Sequence, residues 1–459
     1  MRRARWRMIS SAAATTALMT GYLAGPAAAA PSPHKEEWWF SGWALQQEVW
    51  PLTQGRGVTV ALIDTGVNAR LPDLNGRVVP GKDYEKPSDR GMVDHDAGAG
   101  HGTGMASLIV AQGRATGWVG VAPEAKILPI ANASQDADHV ADSIRYAVDH
   151  GAKVISMSIG VDWRGDPACP PVVERAVGYA ADHDVVLVAA AGNTGNRGNP
   201  SSFPAACPGV VAVGAIQAEG LRPWVATQRK DYVTVAAPGA QVGSIGKDGG
   251  LYHYGSGTSQ ATALTSGVVA LIRAKNPDMS AREVVQRLIY TAKDVGPKGK
   301  DDQTGYGLII ADKALTATVP ASAPNPVYAA LDARKAERAR QQREQTQAPG
   351  LGQRTSSSSG GVGSGTLIAG AAVVLLVAAG IIALFLVRRR RPAPAPAASP
   401  TFGPPSQFGA SPPTAPPYPP PSGQGPPPGN SPYGQQPYGG QPPRYTGPSG
   451  PPPGHRGPG

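Results

Sequence analysis

At 459 residues with a formal net charge of +10, the chain has length for two or three average domains and a charge that invites a nucleic-acid partner. Residues 319–365 and 392–459 are rich in Pro, Gly, Ser, Ala and Gln, with too few large apolar side chains to offset the entropy of ordering them, so only about residues 34–318 are expected to bury a core, as one large domain. Residues 34–315 carry 26 Lys and Arg against 29 Asp and Glu, and the positive excess lies at Arg2, Arg3, Arg5 and Arg7, in the 334–354 stretch and at Arg388–Arg391, which argues against a basic nucleic-acid groove in the folded part.

The chain opens on a basic stretch, an apolar stretch from about Met8 to Leu23, and small residues ending in Ala28, Ala29 and Ala30. This is the layout of a secretory signal with an A-x-A-like cleavage site over residues 1–30, and its apolar run is short for a membrane span. Residues 31–54 form a short extension holding Trp38, Trp39, Trp43 and Trp50. Aromatics of this size predict that the extension packs on the domain that follows.

From residue 55 to 318 short apolar runs alternate with segments of helical spacing. The runs Val58–Ile63, Ile127–Ile130, Val154–Ile159, Val185–Ala190, Val210–Val213 and Val233–Val235 are nearly continuous Val, Ile, Leu and Ala, as in parallel strands covered on both faces. Helices are expected at Gly102–Ala111, Asp138–His150, Val172–His183, Ser259–Asn276 and Ser280–Ala292. The fold class is therefore α/β, a doubly wound, mostly parallel sheet with helices on both faces. In such sheets functional groups gather at the carboxyl ends of strands and the amino ends of the following helices. Asp64 closes the first run, His101 opens the helix HGTGMASLIV, and Ser259 opens the helix SQATALTSGVVALI.

A serine hydroxyl is a poor nucleophile at neutral pH and needs a base that is itself oriented by a third group, so a carboxylate, an imidazole and a hydroxyl at these positions form a candidate catalytic set. Asn193 follows the Val185–Ala190 run in a Gly-Asn pair, which on its own marks an ordinary turn. Cys169 and Cys207 both fall in the part expected to be exported, where disulfides persist, and are expected to pair; neither has Cys or His neighbours at metal-ligand spacing. Asp89, Asp94 and Asp96 are candidate cation ligands, although acidic loops of this kind are usually only solvated. No cofactor is expected.

Beyond the domain, residues 366–387 hold the uncharged stretch Leu367–Val387, followed at once by Arg388–Arg391. That is a stop-transfer helix, and the positive-inside rule places residues 31–365 outside the cell and the Pro/Gly-rich tail 388–459 in the cytoplasm.

The contexts of the three candidate residues, Ala61-Leu62-Ile63-Asp64-Thr65-Gly66-Val67, His101-Gly102-Thr103-Gly104-Met105-Ala106 and Gly257-Thr258-Ser259-Gln260-Ala261-Thr262, resemble the subtilisin-like serine proteases in kind and order. The resemblance implies a subtilisin-like peptidase domain over residues 55–318, a triad of Asp64, His101 and Ser259, and Asn193 in Val188–Asn193 as oxyanion-hole donor. It also implies a substrate strand at Ser158, Ile159 and Gly160, with Ala190, Ala191 and Gly192 as one wall of the primary pocket and its base near Ser202 and Phe203. One departure is that Ala261-Thr262-Ala263 stands where the family usually has Ala-Ala-Pro. Residues 31–54 leave no room for the folded pro-domain that many secreted members carry. Signal segment, short extension, protease domain, linker at 319–365 and membrane helix together resemble the mycosins, the membrane proteases attached to type VII secretion systems.

The resemblance implies protein or peptide substrates and a secretion-complex partner, with the domain either hydrolysing peptide bonds through an acyl-enzyme on Ser259 or acting as a largely non-catalytic scaffold of that complex. A further reading makes the Pro-rich tail, with Pro442-Pro443-Arg444-Tyr445, a ligand for a polyproline-binding partner.

Overall fold

The computed structural model describes residues 32–347 apart from Ala133 and Asp166. The expected signal segment, membrane span and tail lie outside the described residues, and no helix among the described residues is long and apolar enough to cross a membrane.

The Trp-rich extension is held by packing. Helix α1 (Trp39–Gly42) and the wide turn Leu45–Val49 bury Trp39, Phe40, Trp43 and Trp50 in the same core as the rest of the domain. The ring of Trp39 meets Trp118 edge-on with centroids 5.9 Å apart, and the indole N–H of Trp50 donates to the Val121 carbonyl at 3.0 Å. A buried tryptophan removes about 150–250 Å² from water, worth up to about 4–6 kcal/mol at 25 cal/mol per Å². The extension is thus built into the domain, as its aromatic content predicts.

The chain then alternates strand and helix. It runs through β1 (Thr59–Asp64), the short β2 (Lys82–Asp83), α2 (His101–Val110), β3 (Lys126–Ala131), α3 (Ala137–Asp149), β4 (Val154–Met157), β5 (Val161–Trp163) and α4 (Pro171–Asp182). The second half holds β6 (Val186–Ala190), β7 (Ser201–Phe203), β8 (Val210–Ile216), β9 (Val233–Pro238), β10 (Val242–Ile245) and β11 (Leu251–Gly255). Four helices close it: α5 (Thr258–Lys275), α6 (Ala281–Tyr290), α7 (Ala311–Thr316) and α8 (Pro326–Gln347).

Seven strands form one parallel sheet in the order β2-β3-β1-β4-β6-β8-β9. Helices α2 and α5 pack on each other and on the sheet, as do α3 and α4. Every residue of β4, β6, β8 and β9 is buried, which is why these runs carry no polar alternation. α5 is buried along most of its length and begins at Thr258 without the proline the family usually places near this point. β1 and β4 lie side by side although β2, α2, β3 and α3 separate them in sequence. The winding reverses there, and the carboxyl ends of β1 and β4 mark the switch point where such sheets place their ligands. Two small antiparallel ribbons, β5 with β7 and β10 with β11, stand outside the sheet.

The expectation of an unstructured linker over 319–365 needs correction, because α8 occupies 22 of these residues. Val327, Tyr328 and Leu331 are buried against the domain. Arg282 pairs with Asp332 through two contacts at 2.7 and 2.8 Å, Lys335 reaches Asp182 at 2.6 Å, and Arg334 reaches the buried Glu174 at 3.2 Å. A few apolar side chains and a row of ion pairs order a helix whose own composition carries almost no apolar stripe.

Candidate active site

Asp64 is the last residue of β1 and is buried. One carboxylate oxygen, Oδ1, accepts the Thr65 amide N–H at 2.8 Å and lies 2.7 Å from Nδ1 of His101. The approach needs glycine on both sides. A β-carbon on Gly102 would lie 2.1 Å from the Gly66 carbonyl oxygen, and Gly66, with φ +97°, runs against the Val93 carbonyl.

The first turn of α2, which carries His101, is held from outside by Asp94. This buried carboxylate accepts the Thr103 amide at 2.8 Å and the Thr103 hydroxyl at 2.6 Å through Oδ2. Through Oδ1 it accepts the Thr65 hydroxyl at 2.8 Å and the Asp96 amide at 3.0 Å. Thr65 in turn accepts the Gly102 amide at 2.9 Å. Asp94 therefore supplies the cap that Gly100, which precedes the helix, has no side chain to supply. Of the three acidic residues considered for a cation, Asp94 is committed to this helix start. Among the described residues Asp83, Asp89 and His95 bring ligand-type atoms within 4.8 Å of one another. Asp83 already accepts the Glu85 and Lys86 amides and pairs with His95 at 2.8 Å, so this group is a brace beside Thr65.

Burial alone would lower the proton affinity of His101. The charge and hydrogen bond of Asp64, with the further charges of Asp96 and Asp94, outweigh it and raise the imidazole above its ordinary 6.5.

Ser259 lies in the first turn of α5, its hydroxyl donating to the Ser158 carbonyl at 2.9 Å while the Ser158 hydroxyl donates to the Ser259 carbonyl at 3.2 Å. These reciprocal bonds tie the start of α5 to the segment leaving β4. Asn193 follows β6, and its Oδ1 accepts both the amide and the hydroxyl of Thr258 at 2.9 Å. An amide N–H can only donate, so this contact fixes the carboxamide with its NH₂ group turned the other way. A methyl group built on Gly257 would lie 3.4 Å from Asn193 Nδ2 and 3.6 Å from the Ser259 backbone nitrogen. Gln260 Oε1 lies 2.8 Å from the same point, and Asn193 Nδ2 and the Ser259 backbone nitrogen are neighbours at the start of α5.

The segments expected as substrate strand and pocket wall lie next to each other. β4 ends at Met157 rather than Ile159, so Ser158, Ile159 and Gly160 continue past the sheet. Met157 pairs with Ala189 in β6, which puts the continuations Ser158–Gly160 and Ala190–Gly192 side by side. The Tyr232 hydroxyl accepts the Ser202 amide at 3.1 Å and donates to the Ala191 carbonyl at 3.3 Å, joining the pocket base to one wall. Cys169 and Cys207 are joined as a disulfide. Asp94, Thr65, Thr258 and Tyr232 were not singled out from sequence as parts of the site. Thr65 and Thr258 stand beside Asp64 and Ser259 in the motif contexts, and an acidic residue a few positions before a helix that starts after glycine is a signal that could have found Asp94.

Comparison with known proteins agrees with this geometry. Residues 55–307 match the subtilase family. Mycosin-4 of Mycobacterium tuberculosis is 35% identical over an alignment of 324 positions that covers 59% of this chain and 67% of that protein. Fervidolysin of Fervidobacterium pennivorans is 36% identical over an alignment of 318 positions that covers 62% of this chain but only 44% of that longer protein. A solved structure of the serine protease MycP1, described as an essential component of the type VII (ESX-1) secretion system, superposes with a TM-score of 0.54 at 31% identity, covering 63% of this chain and 90% of that one. With more than half of its residues matched to that family, on a sheet of the same kind, the chain belongs to the subtilase family of serine peptidases.

Proposed function

We propose that the chain is a membrane-anchored, extracytoplasmic serine endopeptidase associated with a type VII secretion system. The observation that supports the catalytic part is that Asp64, at the end of β1, holds His101 through Nδ1, while Ser259, at the start of α5, is bonded to Ser158 just past the end of the neighbouring strand β4. Ser259 Oγ attacks the peptide carbonyl while Nε2 of His101 takes its proton. Asp64 keeps the imidazole oriented through Nδ1 and stabilises the imidazolium. The amide of Asn193 and the backbone N–H of Ser259 receive the negative charge of the tetrahedral intermediate, and His101 returns the proton to the leaving amine. Water then repeats the sequence on the acyl-enzyme. Anchoring rests on the apolar stretch 367–387 and the arginines after it, export on residues 1–30, and the secretion partner on likeness to the mycosins. A fluorophosphonate probe should label the exported domain covalently, and labelling should vanish in Ser259→Ala; labelling that persists would sink the assignment.

The description of MycP1 as an essential component of its secretion system favours a second reading, in which the domain chiefly stabilises the complex. Cells carrying Ser259→Ala would then still secrete, whereas deletion of the whole chain would abolish secretion. Equal loss in both strains would make catalysis the essential role.

A further inference from the structure

The β10–β11 ribbon stands outside the central sheet, yet it touches both helices that carry the candidate triad. On the α2 side the Ile245 amide donates to the buried Ser107 hydroxyl at 3.1 Å, and Ser244 Oγ lies 2.9 Å from the point that a β-carbon on Gly104 would occupy. The turn of the ribbon holds the loop before His101: the Lys247 amide donates to the Ala99 carbonyl at 2.7 Å, and the Lys247 carbonyl accepts the Asn68 side chain at 2.7 Å. β11 ends at Gly255, and the chain enters α5 at Thr258. Between them Ser256 Oγ accepts the Gln241 amide at 2.9 Å and the Gly257 amide donates to the Gly239 carbonyl at 2.8 Å. The outer side of the ribbon is open, with Tyr252, His253 and Tyr254 exposed. There the N-terminal extension reaches it. Glu36 Oε2 pairs with His253 Nδ1 at 2.7 Å. Trp118, which Trp39 meets edge-on, puts its ring atom Cη2 2.9 Å from the point that a β-carbon on Gly243 would occupy. The next residue after Glu36, Glu37, is buried and accepts the amides of His34 at 2.6 Å and Val119 at 3.2 Å, so the backbone that presents Glu36 is fixed.

We propose that Glu36 and His253 are positioning residues: through this pair the extension holds the ribbon onto α2 and the start of α5, and so sets the approach of His101 to Ser259. This rests on the peptidase reading above. A two-stranded ribbon is marginally stable by itself, so its place depends on what it is packed against. The pair leaves 26% of the Glu36 side chain and 44% of the His253 side chain exposed, and an ion pair of that kind adds little to global stability. A displacement of about 1 Å between reacting groups, by contrast, costs on the order of 100-fold in rate. The pair therefore matters more to turnover than to folding.

The test compares the full-length chain with Glu36→Ala, His253→Ala, the double variant and His253→Lys, using a fluorogenic peptide for turnover and the fluorophosphonate probe to count active sites. Either alanine variant should lower kcat per active site by about 5-fold or more while KM stays within about twofold, because the expected substrate strand at Ser158, Ile159 and Gly160 continues β4 rather than the ribbon. Tm should fall by no more than about 4 °C. The double variant should be no slower than the slower single one, since both changes remove the same contact. His253→Lys, which puts an ammonium against Glu36, should keep most of the turnover that His253→Ala loses. Unchanged kcat in the alanine variants, losses that multiply in the double variant, His253→Lys as slow as His253→Ala, or a loss matched by fewer active sites would overturn the proposal and leave the peptidase intact. A wild type that neither labels nor hydrolyses would overturn the peptidase reading and this proposal with it.

Discussion

Replacing Asp94 by asparagine tests whether the capped start of α2 controls the candidate base. The side chain keeps its shape but loses its charge and presents one NH₂ group where two oxygens each accepted two hydrogen bonds. The Thr65 hydroxyl can turn to accept, but the Asp96 and Thr103 amides cannot, so at least one N–H must face the new donor. A hydrogen bond to a charged group contributes about 1.5–3 kcal/mol, and for a domain of this size each kcal/mol moves Tm by about 2–4 °C. The expected fall is roughly 3–12 °C. The loss of charge also acts on His101, whose pKa is lowered by burial but raised on balance by Asp64, Asp96 and Asp94. The base form is the active one, so the rate of fluorophosphonate labelling falls as pH drops through the His101 pKa, which in the wild type lies above 6.5. With one raising charge removed, that acid limb should move to lower pH. Scanning fluorimetry and labelling rates against pH measure both effects. An unchanged Tm together with an unmoved limb would refute the assignment of Asp94 as the residue that holds this helix.

Three further outcomes are expected. Asn193→Ala should lower kcat by about 10²- to 10³-fold with little change in KM, since the lost donor serves the intermediate more than the substrate; an equal rise in KM would point to a role in binding instead. Burial pushes the Glu37 carboxyl up to about 9 against backbone hydrogen bonds from His34 and Val119 that lower it. Its folded pKa is raised, so the stability it contributes is full below about 4.5 and fades as pH rises through about 9. Glu37→Gln should therefore have a higher Tm than the wild type at pH 8–9 and lose that advantage near pH 4.5, and a constant difference across this range would contradict the burial argument. The Cys169–Cys207 bond closes a loop with a sequence separation of 38 that contains the strand leading to Asn193, so Cys207→Ser should destabilise the domain by roughly 3–4 kcal/mol in the chain-entropy model and lower turnover with it. Turnover that holds while Tm falls would separate the bridge from the oxyanion loop.

Much of the central sheet was legible because its strands are buried on both faces: runs such as Val185–Ala190 and Val154–Met157 have no polar alternation to confuse with a surface strand. Helices α2 to α6 were legible through their spacing, and the structure adds the caps, Asp136 before α3 and Ser280 with Glu283 at α6. Asp64, His101 and Ser259 could be picked out because each sits at a strand end or helix start, where a parallel sheet exposes its functional groups. The short ribbons β5–β7 and β10–β11 were not legible, since three to five residues of mixed character carry no period.

The sequence by itself determined six of the seven strands of the central sheet, helices α2 to α6 and which three candidate residues stand at their ends, because periodicity, glycine placement and local context are properties of neighbours along the chain. Only the tertiary structure decided what those residues touch. Asp94 caps a helix that begins seven residues later, Tyr232, in the turn before β9, links the Ser202 amide to the Ala191 carbonyl, and Ser202 lies beside Gly160 across 42 positions of sequence. Helix α8 makes the same point, since it is ordered by Tyr328, Leu331 and ion pairs to Arg282, Asp182 and Glu174 rather than by an apolar period of its own. Contacts between segments far apart in the chain leave no local pattern, and it is the pairing of β4 with β6 and the packing of α2 on α5 that bring scattered polar residues into one region.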